Sequence, residues 1–230
     1  MDSSTLVCSI KPGRVDQFLD PEFDGKSTFT VPEIDKSKLP RDWGIGLIIG
    51  PSGSGKTSLL RRYFGEPCEP SWSKDHAVVS EFEASNPSDP LSSAKEAQDR
   101  LSSVGLGSIP TWMRPFACLS NGESSRARLA RVINDDAVID NFTHVVNRHA
   151  AWAMSSAVGR FIRRRGFKRV VFATSCADVV PWLQPDWLVQ VPARAAQNHG
   201  KDPPVLAIQR NPTPADERRP QVRVLNERRM

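Results

Sequence analysis

Eight consecutive residues have the composition and spacing of a phosphate-binding loop. The pattern GxxxxGK[ST] is matched at every position by Gly50, Pro51, Ser52, Gly53, Ser54, Gly55, Lys56 and Thr57. Glycines permit backbone angles that turn successive N–H groups inward around a polyphosphate. Lys56 is expected to reach the β- and γ-phosphates, and Thr57 to ligate Mg²⁺. We therefore predict an ATP and Mg²⁺ site here, which Ser58 extends into the following helix.

The segments around this loop have the character that such a site requires. Gly44–Ile49 is an apolar run that is too short for a helix and is typical of a buried parallel strand. A helix is predicted over Thr57–Phe64, with its positive end at the phosphates. The alternative is a Gly/Ser-rich turn before an ordinary helix, and the strand in front of the loop makes that alternative weaker.

A second segment offers phosphate-binding groups farther along the chain. Leu119-Ser120-Asn121-Gly122-Glu123 precedes a predicted helix, Gly122–Ile133. A Ser-x-Gly turn at a helix N-terminus presents a hydroxyl, N–H groups and a positive dipole. The alternative is that Ser120 is an ordinary helix N-cap.

Together, the loop and the LSNGE segment resemble the phosphate loop and the LSGGQ signature of ABC-type ATPases. Ala137–Asp140 resembles the Walker B strand of that family, which implies that Asp140 holds Mg²⁺ together with Thr57. In the family the signature contacts ATP held by another subunit, so Ser120 and Gly122 are expected to bind nucleotide across a homodimer or a heterodimer. The resemblance covers about residues 44–190. It is closest to soluble ABC-type ATPases that are fused to, or lie beside, predicted acetyltransferases, including phage-encoded forms.

Three positions depart from that family pattern. Asn141 stands where the family has the glutamate that polarises the attacking water, and an amide cannot take a proton from that water. Cys176 stands at the position of the switch histidine, and Asn147 replaces an aspartate. Lys56 and Asp140 remain, so we predict that ATP is bound and that hydrolysis is slow or absent. Gln98 is the one candidate for a Q-loop glutamine, and Phe29 is either an adenine-stacking ring or a core residue.

The resemblance implies an α/β fold of the P-loop NTPase, ABC-ATPase type, with a mostly parallel core sheet flanked by helices. We expect a small antiparallel β region at 1–43, a nucleotide-binding core at 44–191 and a basic, Pro/Arg-rich appendage at 192–230. The interval between the loop and Ser120 is short, so the helical subdomain, at about 80–120, should be reduced and a transporter role is disfavoured. One further strand is predicted at Ala77–Phe82.

Composition narrows the setting of the protein. The apolar runs are too short to cross a bilayer, and the first residues lack the pattern of a signal peptide. The four cysteines form no metal-ligand cluster in the sequence, which favours a reducing, cytoplasmic location. The net charge of +5 is compatible with polyanion binding or with an ordinary solvated surface.

A cluster of basic residues marks the end of a predicted helix, Asn147–Arg165, and the turn after it. Its members are Arg160, Arg163, Arg164, Arg165, Lys168 and Arg169. Positive charge at a helix C-terminus is favoured by the dipole, which is the structural explanation. The alternative is a patch that contacts DNA or RNA phosphates without sequence preference.

Three functions remain open at this point. The first is an ABC-type ATP-binding protein that acts as a nucleotide-gated switch, or as a subunit in a complex with a partner enzyme. The second is a P-loop kinase that transfers the γ-phosphoryl group of ATP to a hydroxyl, for example on a modified base in phage DNA. The missing glutamate does not exclude this function, because phosphoryl transfer depends more on positioning than on a water-activating base. The third is a structural module that nucleotide stabilises.

Overall fold

Strands and helices alternate through most of the chain. The computed structural model describes residues 5–9, 26–83, 88–89, 91–192 and 205–210, with side chains from residue 31 onward. The strands in these ranges are β1 (Thr5–Ser9), β2 (Lys26–Thr30), β3 (Glu33–Ile34), β4 (Ile45–Ile49), β5 (Val138–Ile139), β6 (Val170–Thr174), β7 (Trp187–Gln190), β8 (Val205–Leu206) and β9 (Ile208–Arg210). The α-helices in these ranges are α1 (Lys56–Tyr63), α2 (Ser92–Ser103), α3 (Ile109–Trp112), α4 (Asn121–Val132), α5 (Arg148–Arg165) and α6 (Val180–Leu183).

The central sheet has five strands in the order β5-β6-β4-β7-β9. The first four are parallel, and β9 pairs antiparallel with β7. All five residues of β4 are buried, as expected for a parallel strand that is covered on both faces. The predicted α/β fold with a mostly parallel sheet is therefore confirmed.

Two apolar clusters cover the two faces of this sheet. Alternate residues of β4 divide between them, since Ile45 and Leu47 pack in one cluster and Ile48 in the other. The larger cluster contains residues of α2, α4 and α5, and the smaller one contains Leu59 and Leu60 of α1. The sheet thus fixes the start of α1 relative to the ends of its neighbouring strands.

The segments outside the central sheet differ in part from expectation. β1 and β2 form the expected antiparallel pair. The strand predicted at Ala77–Phe82 is wrong: Val78–Glu81 is a 3₁₀ turn, and Val78 is buried beside α2. Only one isolated bridge, between Ala77 and Pro115, remains of strand pairing in that described stretch. Residues 205–210, expected within the basic appendage, contribute β8, which pairs with β3, and the edge strand β9.

No helix in the described part of the chain is long and apolar enough to cross a membrane.

Candidate nucleotide-binding site

The phosphate loop connects the carboxyl end of β4 to the N-terminus of α1. Gly53 and Gly55 adopt positive φ angles of 76° and 96°, which glycine accepts without the steric cost of a Cβ. At Gly50 a Cβ would lie 2.6 Å from the carbonyl oxygen of Val191, so this position has no room for a side chain. The backbone of the loop therefore requires glycine at all three of its glycine positions.

The chemistry of the loop fits a polyphosphate. The hydroxyl of Ser54 is buried and has no hydrogen-bond partner among the described residues. The side chain of Lys56 is folded inward, and its Nζ donates to the carbonyl oxygens of Gly50 at 2.8 Å and Pro51 at 2.7 Å. Burial lowers the pKa of Lys56, and the charge of Asp140 opposes that shift. A buried ammonium bound by neutral carbonyls would gain from an anionic ligand.

Thr57 and Asp140 meet at the predicted metal position. Thr57 Oγ1 donates to Asp140 Oδ2 at 2.6 Å, and the second oxygen, Asp140 Oδ1, accepts from the backbone N–H of Asn141 at 2.8 Å. A hydroxyl and a carboxylate are ligands that Mg²⁺ uses in phosphate sites. Strand β6 lies between β4 and β5, so the end of β6 is also brought to this site.

The segment after Asp140 has a backbone that sequence analysis did not anticipate. Asn141 and Thr143 have φ angles of 54° and 66°, and the buried Thr143 is β-branched, a type that rarely takes this conformation. Between them, the Phe142 carbonyl accepts from Thr143 Oγ1 at 2.6 Å and from Thr174 Oγ1 at 2.7 Å. The Phe142 N–H donates to the carbonyl of Ala173 at 2.9 Å. These bonds fix the position of Asn141 relative to β6, and its side chain is exposed.

Cys176 follows β6 and lies near the same edge of the sheet. Its N–H donates to Thr174 Oγ1 at 3.1 Å, and its side chain is half-buried against the larger apolar cluster. Asn147, the third departure from the family pattern, caps α5: its side-chain oxygen accepts from the N–H of Ala150 at 2.8 Å. This hydrogen bond gives Asn147 a structural role as the N-cap of α5.

The LSNGE segment forms a complete capping box at the start of α4. Ser120 Oγ accepts from the Glu123 N–H, and Glu123 Oε2 accepts from the N–H and hydroxyl of Ser120 at 2.9 and 2.8 Å. The Ser120 N–H, followed by its hydroxyl, lowers the pKa of the Glu123 carboxyl. The N-cap role considered above is therefore real. Ser120 is exposed and Gly122 is partly exposed, so both remain accessible to a ligand.

A cavity of about 580 Å³ adjoins the Thr57–Asp140 pair. Its walls include Asn141, the helix α4 residues Asn121, Ser124 and Arg128, and apolar side chains such as Met154. The structure thus brings α4 and the loop to one cavity, although Ser120 itself is not among the lining residues. Of the lining residues, sequence reasoning identified Thr57, Asp140 and Asn141 as site residues and missed those that α4 contributes.

Most of the predicted nucleic-acid cluster is engaged within the protein. Arg163 donates to the carbonyls of Leu183 and Gln184, and Arg164 pairs with Asp99. The remaining pairs are Arg165 with Glu96, Lys168 with Asp42 and Arg169 with Asp136. Arg160 is exposed and has no ion-pair partner among the described residues. These contacts favour the structural explanation of the cluster.

Gln98 and Phe29 are the candidates for the Q-loop glutamine and for the adenine-stacking ring. Gln98 is exposed on α2, in keeping with a helix surface residue. The backbone of Phe29 belongs to β2, but its side chain lies outside the described residues.

The fold and the site together define the class of structure to which this chain is similar. No protein-family model and no curated protein matches the sequence. Among solved structures, the dimeric structure of a bacterial ABC transporter cassette is similar with a TM-score of 0.51 at 14% identity, over 70% of this chain and 86% of that one. The chain therefore has the α/β fold of the ABC ATPase cassettes.

Two other solved structures give the same result. A dimeric post-hydrolysis state of that ATP-binding cassette, bound to ADP and Pi, matches with a TM-score of 0.57 at 14% identity, over 89% of this chain and 95% of that one. An inward-facing metal-chelate type ABC transporter matches with a TM-score of 0.50 at 16% identity, over 73% of this chain and 72% of that one.

Proposed function

We propose that this chain is an ABC-type ATP-binding protein that holds ATP and Mg²⁺ in the loop Gly50–Thr57. The observation that carries the proposal is the hydrogen bond between Thr57 and Asp140 beside a complete phosphate loop. Lys56 neutralises phosphate charge, and the N–H groups at the start of α1 bind phosphate oxygens. Bound Mg²⁺ would polarise the γ-phosphate, and Thr57 and Asp140 are the residues that would hold it.

We propose further that hydrolysis is slow or absent. Asn141 follows Asp140 directly, and its amide can orient a water but cannot accept the proton of that water. The Cys176 thiol is a much weaker hydrogen-bond donor to a phosphate than a histidine imidazole. ATP that is not hydrolysed keeps its γ-phosphate while it is bound, so such a protein would act as a switch that is set by whether ATP is bound.

We propose that bound ATP changes the association of this chain with a second subunit. The exposed Ser120 and Gly122 stand at the positive end of α4, where they suit the phosphates of nucleotide held by a second subunit. The dimeric state of the first two similar structures supports this arrangement. The second subunit is a copy of this chain, a competent homologue or a partner enzyme such as an acetyltransferase.

Calorimetric titration with Mg-ATP tests the binding step. Wild-type protein is expected to bind, and Lys56→Ala is expected to lose detectable binding while it keeps its cooperative unfolding transition. Lys74→Ala is the matched control, because Lys74 is an exposed lysine outside the loop. Equal affinity in the Lys56→Ala variant would contradict the proposal.

A kinase is the second candidate, and the cavity beside Thr57 and Asp140 favours it. Its volume of about 580 Å³ is large enough for a small acceptor molecule. In such a reaction the acceptor oxygen bonds to the γ-phosphorus, the bond from that phosphorus to the ADP oxygen breaks, and the hydroxyl proton passes to solvent. ATP labelled in its γ-phosphate distinguishes the two functions. A kinase would move the label to an acceptor, whereas the proposed ATP-binding protein would leave it in ATP or release it slowly as phosphate.

A further inference from the structure

A second cavity, of about 490 Å³, lies at the amino ends of the central parallel strands, whereas the phosphate loop lies at their carboxyl ends. Trp43 in its wall precedes β4 and Val138 begins β5, whereas the loop follows the end of β4. Tyr63 and Phe64, at the C-terminal end of α1, complete the aromatic part of the wall. This second cavity is therefore separated from the nucleotide site by the length of β4 and of α1.

The aromatic wall is held in place from behind. Phe64 stacks on the buried Trp187 with ring centroids 5.5 Å apart and planes 19° from parallel. Trp43 meets both of these rings edge-on, at 6.5 and 5.2 Å. These contacts hold Phe64 in place, and its half-buried neighbour Tyr63 has the Arg62 guanidinium 5.5 Å from its ring centroid. Little side-chain freedom is lost when a flat group packs against a ring that is already held.

The rim of this cavity is positively charged. Lys36, Arg41 and Arg169 line it, and Asp136 is a lining carboxylate that Arg169 already neutralises at 2.5 and 2.8 Å. Lys36 and Arg41 are exposed, and neither has a carboxylate partner among the described residues. The wall and rim therefore carry two uncompensated positive charges beside aromatic rings.

The ammonium of Lys36 now lies over those rings. Its Nζ is 5.8 Å from the Tyr63 ring centroid and 5.5 Å from that of Phe64, which is the geometry of a cation–π contact. Because Lys36 is an exposed, flexible side chain, a flat ligand could displace it from the rings. The displaced ammonium would then be free to bind an anionic group on the same ligand.

We propose that this cavity binds a nucleotide unit, with its base packed on Tyr63 and its phosphate at Lys36 and Arg41. A nucleotide is a flat aromatic group with an anion attached, which is the combination that the wall and rim fit. The same unit could come from a free mononucleotide or from single-stranded nucleic acid. Nothing in this assignment depends on the phosphate loop, so the two sites succeed or fail separately.

Fluorescence anisotropy of two separate probes, a labelled ten-nucleotide oligothymidylate and a labelled AMP, tests the proposal at low salt without added ATP. Binding that persists in the Lys56→Ala variant excludes the phosphate loop as the site of either probe. Wild-type protein is expected to bind at least one of the two probes. Tyr63→Leu should weaken that binding about tenfold, as expected for loss of one stacked base, whereas Tyr63→Phe should bind normally. The double variant Lys36→Gln with Arg41→Gln should weaken binding and reduce the salt slope by about one for each phosphate contact removed.

A charge-matched control is the double variant Lys74→Gln with Arg114→Gln, both at exposed sites outside this cavity. Binding of the oligonucleotide would identify a strand as the source of the nucleotide, and binding of AMP alone would identify a free nucleotide. The proposal is overturned if neither probe binds, or if the control loses as much affinity as the Lys36 and Arg41 variant. It is also overturned if Tyr63→Leu binds as the wild type does, because the base would then not be packed on the Tyr63 ring.

Discussion

The hydroxyl of Thr57 donates a hydrogen bond of 2.6 Å to the carboxylate of Asp140, a residue 83 positions later in the chain. The bond joins the first turn of α1 to the end of β5 and sets the distance between the two side chains expected to hold Mg²⁺. Asp140 is oriented further by the N–H of Asn141. A metal site preorganised in this way loses little freedom when the ion binds.

The first prediction concerns this pair. Thr57→Val removes the hydroxyl at nearly constant volume and is expected to lower the affinity for Mg-ATP about tenfold or more, with a smaller effect on ATP in EDTA. Thr57→Ser keeps the hydroxyl and is the matched control. Calorimetric titrations with and without Mg²⁺ measure the difference. An equal loss under both conditions would show that Thr57 contacts nucleotide without holding metal.

A second prediction concerns hydrolysis. Asn141→Glu supplies a carboxylate base and should raise steady-state phosphate release by about 10²-fold or more, since general-base assistance is worth about 10²–10⁴. Cys176→His should raise it further, and the two together more than additively if they act on one water. The control Cys118→His places a histidine at an exposed cysteine elsewhere.

The Asn141→Glu variant should also carry a stability cost. Position 141 has a left-handed backbone, which asparagine tolerates better than glutamate, so we expect a loss of up to about 1 kcal/mol in the free energy of unfolding. Urea denaturation measures that cost. Rapid phosphate release by the wild-type protein would mean that a residue other than Asn141 supplies the base.

A third prediction separates helix capping from association at Ser120. Ser120→Ala should lower the free energy of unfolding by about 1 kcal/mol, because it removes the N-cap of α4. Ser120→Asp keeps a capping oxygen but adds negative charge where a second subunit's phosphate is proposed to lie. It should lose ATP-dependent association in light scattering, and it should lose less stability than Ser120→Ala if the retained cap outweighs the repulsion between the new carboxylate and Glu123. Undiminished association of this variant would place the interface elsewhere.

A fourth prediction compares two glycines of the loop with Gly107, a glycine outside it. Gly50→Ala should destabilise the protein by about 1–3 kcal/mol, because the new Cβ would lie 2.6 Å from the Val191 carbonyl. Gly53→Ala meets no atom within 4 Å, and its cost of about 1–2 kcal/mol comes from its φ of 76°. Gly107→Ala also meets no atom and should be neutral or slightly stabilising. Urea unfolding ranks the three; a Gly50→Ala variant as stable as wild type would refute the packing argument.

The fifth prediction concerns pH. The folded state lowers the pKa of Glu123, so its contribution to stability is present above the unfolded carboxyl pKa of about 4.3. That contribution is lost as the pH falls through the lower folded pKa. Glu123→Gln should therefore be less stable than the wild type at pH 7, and the difference should disappear in strong acid. Urea unfolding at pH 7, 5 and 3 provides the comparison, and a constant difference would exclude the carboxylate as its cause.

The sequence predicted those parts of the site that depend on short-range patterns. The loop, its flanking strand and helix, and the positions of Asp140 and Asn141 follow from residue types that have few alternatives. The prediction of a strand at Ala77–Phe82 is wrong. The conformation of that segment depends on the burial of Val78 beside α2 rather than on β propensity. The left-handed backbone at Thr143 depends on hydrogen bonds with β6, which no local pattern encodes.

Long-range pairing explains the other differences. Arg164 and Arg165 resemble a phosphate-binding patch in the sequence, but their acidic partners lie on α2, far along the chain. β9 could have been recognised from the short apolar alternation around Leu206 and Ile208, although its place beside β7 could not. The role of Ser120 as a helix cap, by contrast, was readable from Glu123 three residues later.

The order of strands in the sheet also affects how the protein folds during synthesis. The strand that carries the loop ends at Ile49, but both of its neighbours, β6 and β7, begin after residue 169. At about 5–20 residues per second, a ribosome needs on the order of ten seconds to bridge that interval. Throughout that time β4 is an unpaired apolar segment of a nascent chain, and ATP cannot assist folding until its binding loop has a sheet to support it.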